Sequence, residues 1–455
     1  MMTNRMDSLR NFYRGIWYPI FVAVLVFTGH ATGWDIQFAS LVLLTAVPGL
    51  LILHDSNFLF APFSMLTFTV TARYYDFETA DYHYDRFLQK PWFALFLASV
   101  GIALLSIIVF MTRNRRSVNR LKQPWIFLSL LILCGVMLFN GAFNPLYTPK
   151  NLVVVLVFAS STIFVYLLFA LYGDFDASFL DRFFSCLVVT GILVLLELLF
   201  AYLTRVRFAD GTIVKESVVV GWGVWTSIGG MLAFLLPAPF YFARQRRNGW
   251  VFYLIGVAMF LGTLFSQSRG ALLVGGAVFL MCLILVCSGG PNCKQNRIFT
   301  AVIVALFAVG ALLLSRRLGA LIQNFLNYGF GDNGRFELWK AGWHHFLKYP
   351  VFGSGFYDSF EGDWNFVLSP YLYHNTLIQM LGSCGAVGLL AYLWHRVLTV
   401  RMVFRNRSIP KFFFGVCLLG LLLFSLIDVL FFKIYSTMIY AMILVQMEQA
   451  SLKKE

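Results

Sequence analysis

Apolar residues along this chain come in unbroken runs of about 17–25, the length a helix needs to cross a bilayer. Short polar segments separate them. The runs are continuous rather than alternating, which argues against a membrane barrel. Fourteen spans are predicted, some of them short: roughly 15–32, 36–53, 57–72, 92–111, 124–140, 151–172, 180–203, 225–243, 250–266, 270–287, 298–315, 374–395, 412–430 and 434–448. The third and the last carry the weakest signal. One stretch breaks the rhythm. From Trp250 to Cys287 the only charged residue is Arg269. At 1.5 Å per residue that stretch fits two spans with a turn between them, so Arg269 is expected near a membrane edge and not at mid-depth.

Composition strengthens this reading. Of 455 residues, 59% are hydrophobic and 12% charged, about half the charged share of an ordinary soluble domain. The 49 phenylalanines and 11 tryptophans suit lipid-facing surfaces and interfacial belts. The fold class expected is an all-α polytopic membrane protein, one transmembrane domain over 1–455 with about 12–14 helices. No internal repeat or low-complexity tract interrupts it. A net charge of +14 raises the question of nucleic acid, but the basic residues are scattered through short loops, the pattern that sets membrane orientation. With the N-terminus inside, 21 of the 35 lysines and arginines fall on inner segments. Nine fall on outer ones once the five in a single long loop are left aside, as the rule requires. Both termini are therefore expected inside. The Arg269 turn, the 205–224 loop and the long 316–373 loop are expected outside. The seven cysteines show neither a CxxC nor zinc-ligand spacing. The first span lacks a small-residue cleavage site and reads as an anchor.

Three patches on the expected outer face carry candidate chemistry. In "SQSRGALL" (Ser266 to Leu273) Arg269 opens a span. An arginine at mid-membrane costs about 2.5–3.5 kcal/mol and is usually functional, whereas one at a turn can snorkel to lipid phosphates. In "GDNGRFELWKAGWHHFLKYPVFGSGF" (Gly331 to Phe356), Asp332 or Asn333 is placed to cap a short helix that Pro350 ends. Arg335, Trp339, Trp343 and Phe346 share one face of it, as in a helix lying along a membrane surface. Arg335 in the positive first turn points to an anion; the alternative is a plain interfacial helix. His344 and His345 read as solvated, and the glycines of "PVFGSGF" as turn formers. In "YLYHNTLIQMLGSCGAVGLL" (Tyr371 to Leu390), His374 opens a span. It is either a structural hydrogen-bonder or a base, and the positive end of a helix favours a neutral ring able to accept a proton.

Other residues weigh less. Asp174 and Asp176 form a D-x-D, but on the inner side, where a solvated loop is expected. Glu361 and Asp363 read as loop residues. Glu197 is an intramembrane carboxylate, functional or structural. Asp428, near the outer end of its span, is placed to pair with Arg269 or Arg335. Arg205, Arg207 and Lys215 give the 205–224 loop a basic tone suited to diphosphate or to lipid headgroups. Tyr371, Tyr373 and Trp364 suit an interfacial belt.

The order S-x-S-R-G at the start of a span, R-x3-W in a helix followed by P-x2-G-x-G, then H-N opening the next span, resembles the O-antigen ligase and polymerase family. The likeness runs from about Gly221 to Gly388. It implies the helical fold of glycosyltransferases that use lipid-linked sugars, without metal or cofactor. It further implies transfer of a glycan from undecaprenyl diphosphate to a hydroxyl of a glycan or glycolipid acceptor, at the outer face of the cytoplasmic membrane. By resemblance Arg269 and Arg335 hold the donor diphosphate and His374 activates the acceptor. Arg207, Ser268, Asn375 and Asp428 are accessory candidates. The chain departs from the family in "GWGVWTSIGGM" (Gly221 to Met231), where an asparagine near Trp225 or Thr226 is common. A repeat-unit polymerase, or a transporter of lipid-linked sugars, are the alternatives.

Overall fold

The computed structural model describes residues 2–71, 73–76, 81–84, 90–116, 121, 124–140, 142, 144, 149–176, 178–204, 217–313, 334–356 and 373–451. The helices are α1 Met2–Arg14, α2 Trp17–Thr32, α3 Asp35–Ile52, α4 Phe60–Thr69, α5 Phe93–Arg113, α6 Pro124–Phe139, α7 Pro149–Tyr172, α8 Phe179–Thr204 and α9 Trp225–Leu235. They continue as α10 Pro237–Gln245, α11 Gly249–Phe265, α12 Arg269–Cys287, α13 Cys293–Leu313, α14 Arg335–Lys348, α15 Thr376–Phe404, α16 Ile409–Phe424 and α17 Ile434–Ala450. Two small antiparallel ribbons accompany them, β1 Arg73–Asp76 with β2 Asp81–Tyr84, and β3 Val219–Val220 with β4 Gly223–Val224.

Each of the fourteen predicted apolar runs contains a helix. Among the described residues eight helices are long and apolar enough to cross a membrane, nine if the pair Met6–Arg14 and Trp17–Thr32, bent by 69°, is one span. Trp125–Phe139, Gly249–Phe265 and Ile409–Phe424 are shorter apolar helices. Two runs deviate for local reasons. The run at 57–72 spends its first residues on a 3-10 turn, Asn57–Leu59, which leaves α4 ten residues. The run at 225–243 breaks between α9 and α10 at Pro237, whose ring removes one amide donor and fixes φ.

The layers follow from which helices are apolar all round. Residues Thr226 to Leu235 of α9 and Ile439 to Ala450 of α17 are buried throughout. By contrast only 22% of the α5 window and 6% of the α13 window are buried. Leu105 on α5, Leu273 and Ile284 on α12, and Leu306 and Leu313 on α13 point outward, each more than 60% exposed. A continuous apolar outer surface of this kind suits lipid, not water. Inside it, Phe184 of α8 stacks on Tyr241 of α10 at 4.0 Å and on Phe414 of α16 at 4.3 Å. The bundle has two ends. Tyr202 near the end of α8 donates to the Phe265 carbonyl at the end of α11, so these termini and the start of α12 lie together. The starts of α8 and α11 and the end of α10 lie at the opposite end.

Arg396 corrects the loop tally. It sits inside α15, not after it, under the rings of Tyr392, Phe431 and Tyr440 at 4.6, 4.4 and 4.9 Å. Removing it leaves the excess of basic residues on the segments expected inside.

Gly229 shows how the packing seats α12. A Cβ there meets Ser266 Oγ and the Ala271 Cβ. Gly229→Leu is therefore expected to destabilise the protein by about 1–3 kcal/mol, read as a lower melting temperature in detergent. Gly276→Ala, with nothing within 4 Å of its Cβ position, is expected to melt no lower than the native chain.

Candidate functional site

The turn before Arg269 is built residue by residue. Ser266 Oγ donates to the Thr263 carbonyl at 2.7 Å as α11 ends. Gln267 takes the left-handed conformation, φ 54°, and its Nε2 donates to Tyr202 Oη at 3.0 Å. Ser268 then caps α12, its Oγ accepting from the Ala271 amide at 3.2 Å. Ser268 thus acts on the helix start, satisfying one of its unpaired donors. Arg269 is the first residue of α12 and is exposed.

Arg335 likewise opens a helix. The N-cap is Gly334, φ 78°, with no side-chain cap. Asp332 and Asn333, read as caps, lie outside the described residues. Helix α14 packs on the start of α15 through Gly342, whose Cβ position lies against Ile378 and Tyr373. Its aromatic side is only partly covered: Trp343 is 46% and Phe336 53% exposed. With Trp339 and His344 they line a shallow groove beside Ile378.

After α14 the chain docks onto a break in α15. Gly385, φ 64°, interrupts that helix. The Pro350–Gly355 strand of chain takes up the hydrogen bonds the break releases. Ser354 N donates to Gly382 O at 3.0 Å and Gly355 N to Ser383 O at 2.8 Å. Ala386 N donates in turn to Pro350 O at 2.8 Å. A Cβ on Gly353 or Gly385 would strike backbone atoms of the other segment. The P-x2-G-x-G glycines therefore do more than form a turn. They let two backbones touch and fix where α14 stands.

His374 stands at the convergence of these elements. Its backbone is left-handed, φ 48°, an uncommon state for a residue other than glycine. Its Nδ1 lies 3.2 Å from Asp428 Oδ1, with the imidazole 36% and the carboxylate 6% exposed. Asp428 thus pairs with His374, where the sequence reading placed it with an arginine. Asp428 Oδ2 accepts from Thr226 Oγ1 at 3.2 Å, and Oδ1 from the Val429 amide at 2.7 Å. Burial alone would push the Asp428 carboxyl up. The hydrogen bond and charge of His374, the Lys433 ammonium and the Val429 amide outweigh it and hold the carboxyl well below the usual range.

Asn375 fastens the assembly. Its Oδ1 accepts from the Leu377 and Ile378 amides at 2.9 and 3.2 Å, capping α15, while Nδ2 donates to Leu426 O at 2.9 Å. Thr376 N donates to Ser425 O at 2.8 Å. Asn375 is a positioning residue. Gly270, next to Arg269, lies against Ile427, next to Asp428. Arg269 and the His374–Asp428 pair are thus neighbours at one end of the bundle. Arg335 belongs to the helix packed on Tyr373, about 10 Å of helix from the Gly342 contact.

Some readings change. Tyr373, read as a belt residue, is fully buried, and its hydroxyl meets His345 Nδ1 at 2.5 Å. His345 is therefore half-buried and hydrogen-bonded, not freely solvated: burial, then Lys348 and His344, lower its basicity. Asp176 is held by Arg182 at 2.8 Å and Asp174 by Arg14 at 3.9 Å, at the far end of the bundle. Glu197 is fully buried in α8, and neither carboxylate oxygen has a hydrogen-bond partner among the described residues. Arg205, Arg207, Lys215, Glu361, Asp363, Trp364 and Tyr371 lie outside the described residues. Two members of the site were missed. Thr226 falls in the segment that departs from the resembled family and bonds the carboxylate directly. Lys433 is 94% buried, at 6% exposure. Its signal was an acid and a base five residues apart in one short break between apolar runs.

The buried α9 and α17, the apolar outer band and the near absence of strand among the described residues define an all-α polytopic membrane protein. The family model described as O-antigen ligase matches residues 232–393, which include Arg269, Arg335 and His374. The match supports the O-antigen ligase and polymerase family, and with it an O-antigen ligase-like role in polysaccharide biosynthesis. No curated protein matches the chain.

Asn375→Ala should cost about 1–2 kcal/mol through loss of the cap and loosen the 425–428 segment. Asn375→Asp keeps the cap acceptor but loses the donor to Leu426. Melting temperatures should order native, Asp, Ala. An alanine variant as stable as the native chain would contradict the anchoring role.

Proposed function

We propose that the chain transfers a glycan from a polyprenyl diphosphate, undecaprenyl diphosphate by family resemblance, to a hydroxyl of a second glycan or glycolipid. The reaction is placed at the outer face of the cytoplasmic membrane. The observation that carries this reading is the His374–Asp428 pair beside the first turn of α12, where Arg269 sits. With Nδ1–H donated to Asp428, the imidazole presents Nε2 as proton acceptor. Nε2 takes the acceptor hydroxyl proton as that oxygen attacks the anomeric carbon. The new glycosidic bond forms while the bond to the diphosphate oxygen breaks, and the bonding pair leaves on the diphosphate. Arg269 and Arg335 hold the charge that builds there, by charge-assisted hydrogen bonds. One displacement of this kind inverts the anomeric configuration, and arginines in this role leave no step that calls for a metal. The candidate groups gather at one end of the bundle and not at mid-depth, which supports an enzyme over a transporter.

Arg269→Lys keeps the charge but loses the planar fork. Transfer should fall at least about tenfold with unchanged amounts of protein in the membrane. His374→Ala should abolish transfer and leave donor binding largely intact. Wild-type turnover in either variant would remove that residue from the mechanism. Deleting the protein and resolving surface glycan on a gel separates the two modes. Long chains stranded on the polyprenyl carrier mark a ligase, and single repeats on the final acceptor mark a polymerase. Unchanged surface glycan would contradict both.

A further inference from the structure

The groove along α14 measures about 700 Å³, within the usual range for a small-molecule site. It begins at Phe336, the residue after Arg335, and is walled by Ile378, four residues past His374. Along the chain it is thus flanked by both candidate groups. Its lining is of two kinds. Phe336, Trp339 and Trp343 offer rings, and Glu337, Lys340 and His344 offer polar side chains beside them. The Phe336 and Trp343 side chains are about half exposed, so a ligand can reach them. Glu337 pairs with Lys340 at 2.7 Å, and both are well exposed. A carboxylate accepts several hydrogen bonds, so this one ion pair leaves Glu337 with acceptors to spare.

A pyranose ring is apolar on the face that carries its axial C–H bonds and polar around its rim. The C–H face suits the electron-rich face of an aromatic ring, and the rim hydroxyls need both donors and acceptors. The groove supplies rings, donors and acceptors side by side. A prenyl or acyl chain would use the rings and leave the three polar side chains without a role. Leu347, Val351 and Phe352, further along the chain, are exposed without lining the groove and suit lipid better. Length adds a condition. Trp343 stands seven residues beyond Phe336, about 10 Å of helix, which is more than one sugar ring spans.

We propose that this groove holds the donor glycan, with the sugar on the diphosphate near Phe336 and the next sugar stacked on Trp343. The proposal deepens the donor reading of Arg335 and rests on it. Glu337, Lys340 and His344 meet the ring hydroxyls, and Trp343 favours donors of two or more sugars. A prenyl chain or an acceptor glycan in the groove gives a different result in the test.

The test measures equilibrium binding to the full-length protein in nanodiscs, without acceptor. The probes are undecaprenyl diphosphate carrying its first sugar alone and the same lipid carrying a whole repeat unit, which share one diphosphate charge and one prenyl tail. The whole-repeat donor should bind about tenfold more tightly, the scale of one ring contact plus one hydrogen bond. Trp343→Ala should cut that advantage to about threefold or less and change binding of the one-sugar donor by less than about twofold. Trp343→Phe, which keeps a ring face, should restore most of the advantage. Arg335→Lys should weaken both donors alike and leave the advantage in place. Equal binding of the two donors by the native protein would overturn the proposal. So would an advantage that survives Trp343→Ala, as with an acceptor in the groove, or equal weakening of both donors by that variant, as with a prenyl chain. Undiminished binding of both donors by Arg335→Lys would remove the diphosphate reading on which the placement rests. All of these are read without turnover and so are separate from the His374→Ala test.

Discussion

Asp428 is a carboxylate 6% exposed in a largely apolar bundle, and the candidate site is arranged around satisfying it. A buried charge persists only when it is paired and hydrogen-bonded. Asp428 meets that condition through partners from three parts of the chain: Thr226 at the start of α9, the amide of Val429 beside it, and His374 before α15. Lys433 adds a compensating charge from the same break between α16 and α17. Elements that are distant in sequence are thus drawn to one point by one electrostatic requirement. Because Ile427 lies against Gly270, the same point sits beside the Arg269 turn.

A second constraint sets how rigidly His374 is presented. Its left-handed backbone is held on both sides, by the Asn375 cap and by Tyr373, which is clamped between His345, Gln379 and the glycines 342 and 382. The break at Gly385 and the docking of Pro350–Gly355 onto it fix α14 relative to that clamp. Behind the site, Arg396 sits under Phe431 in the short turn between Asp428 and Lys433. The strain at His374 is kept by packing, as expected where geometry serves chemistry.

Much of this was legible in the sequence, and the limits are physical. Apolar run length identifies a span, so all fourteen runs contain helices. Run length cannot see a 3-10 turn at Asn57 or a proline break at Pro237 inside one run. Arg269 and His374 stood out as polar residues where apolar runs begin, and Arg335 as the basic residue in the first turn of an amphipathic helix. Their companions did not, because a hydrogen bond depends on which loops meet. Asp428 was recognised but given the wrong partner. Thr226 carries no charge to draw attention, and Lys433 looked like an ordinary loop cation. Arg396 was counted with a loop because hydropathy cannot anticipate three aromatic rings closing over a guanidinium.

The central claim is that Asp428 orients His374 so that Nε2 receives the acceptor proton. The most direct measurement is the transfer rate and the donor dissociation constant of Asp428→Asn, a substitution that keeps shape and removes the charge. Transfer is predicted to fall by about 100-fold or more, the scale of general-base catalysis, with donor binding changed less than about threefold. An asparagine variant that transfers glycan at the native rate would contradict the account.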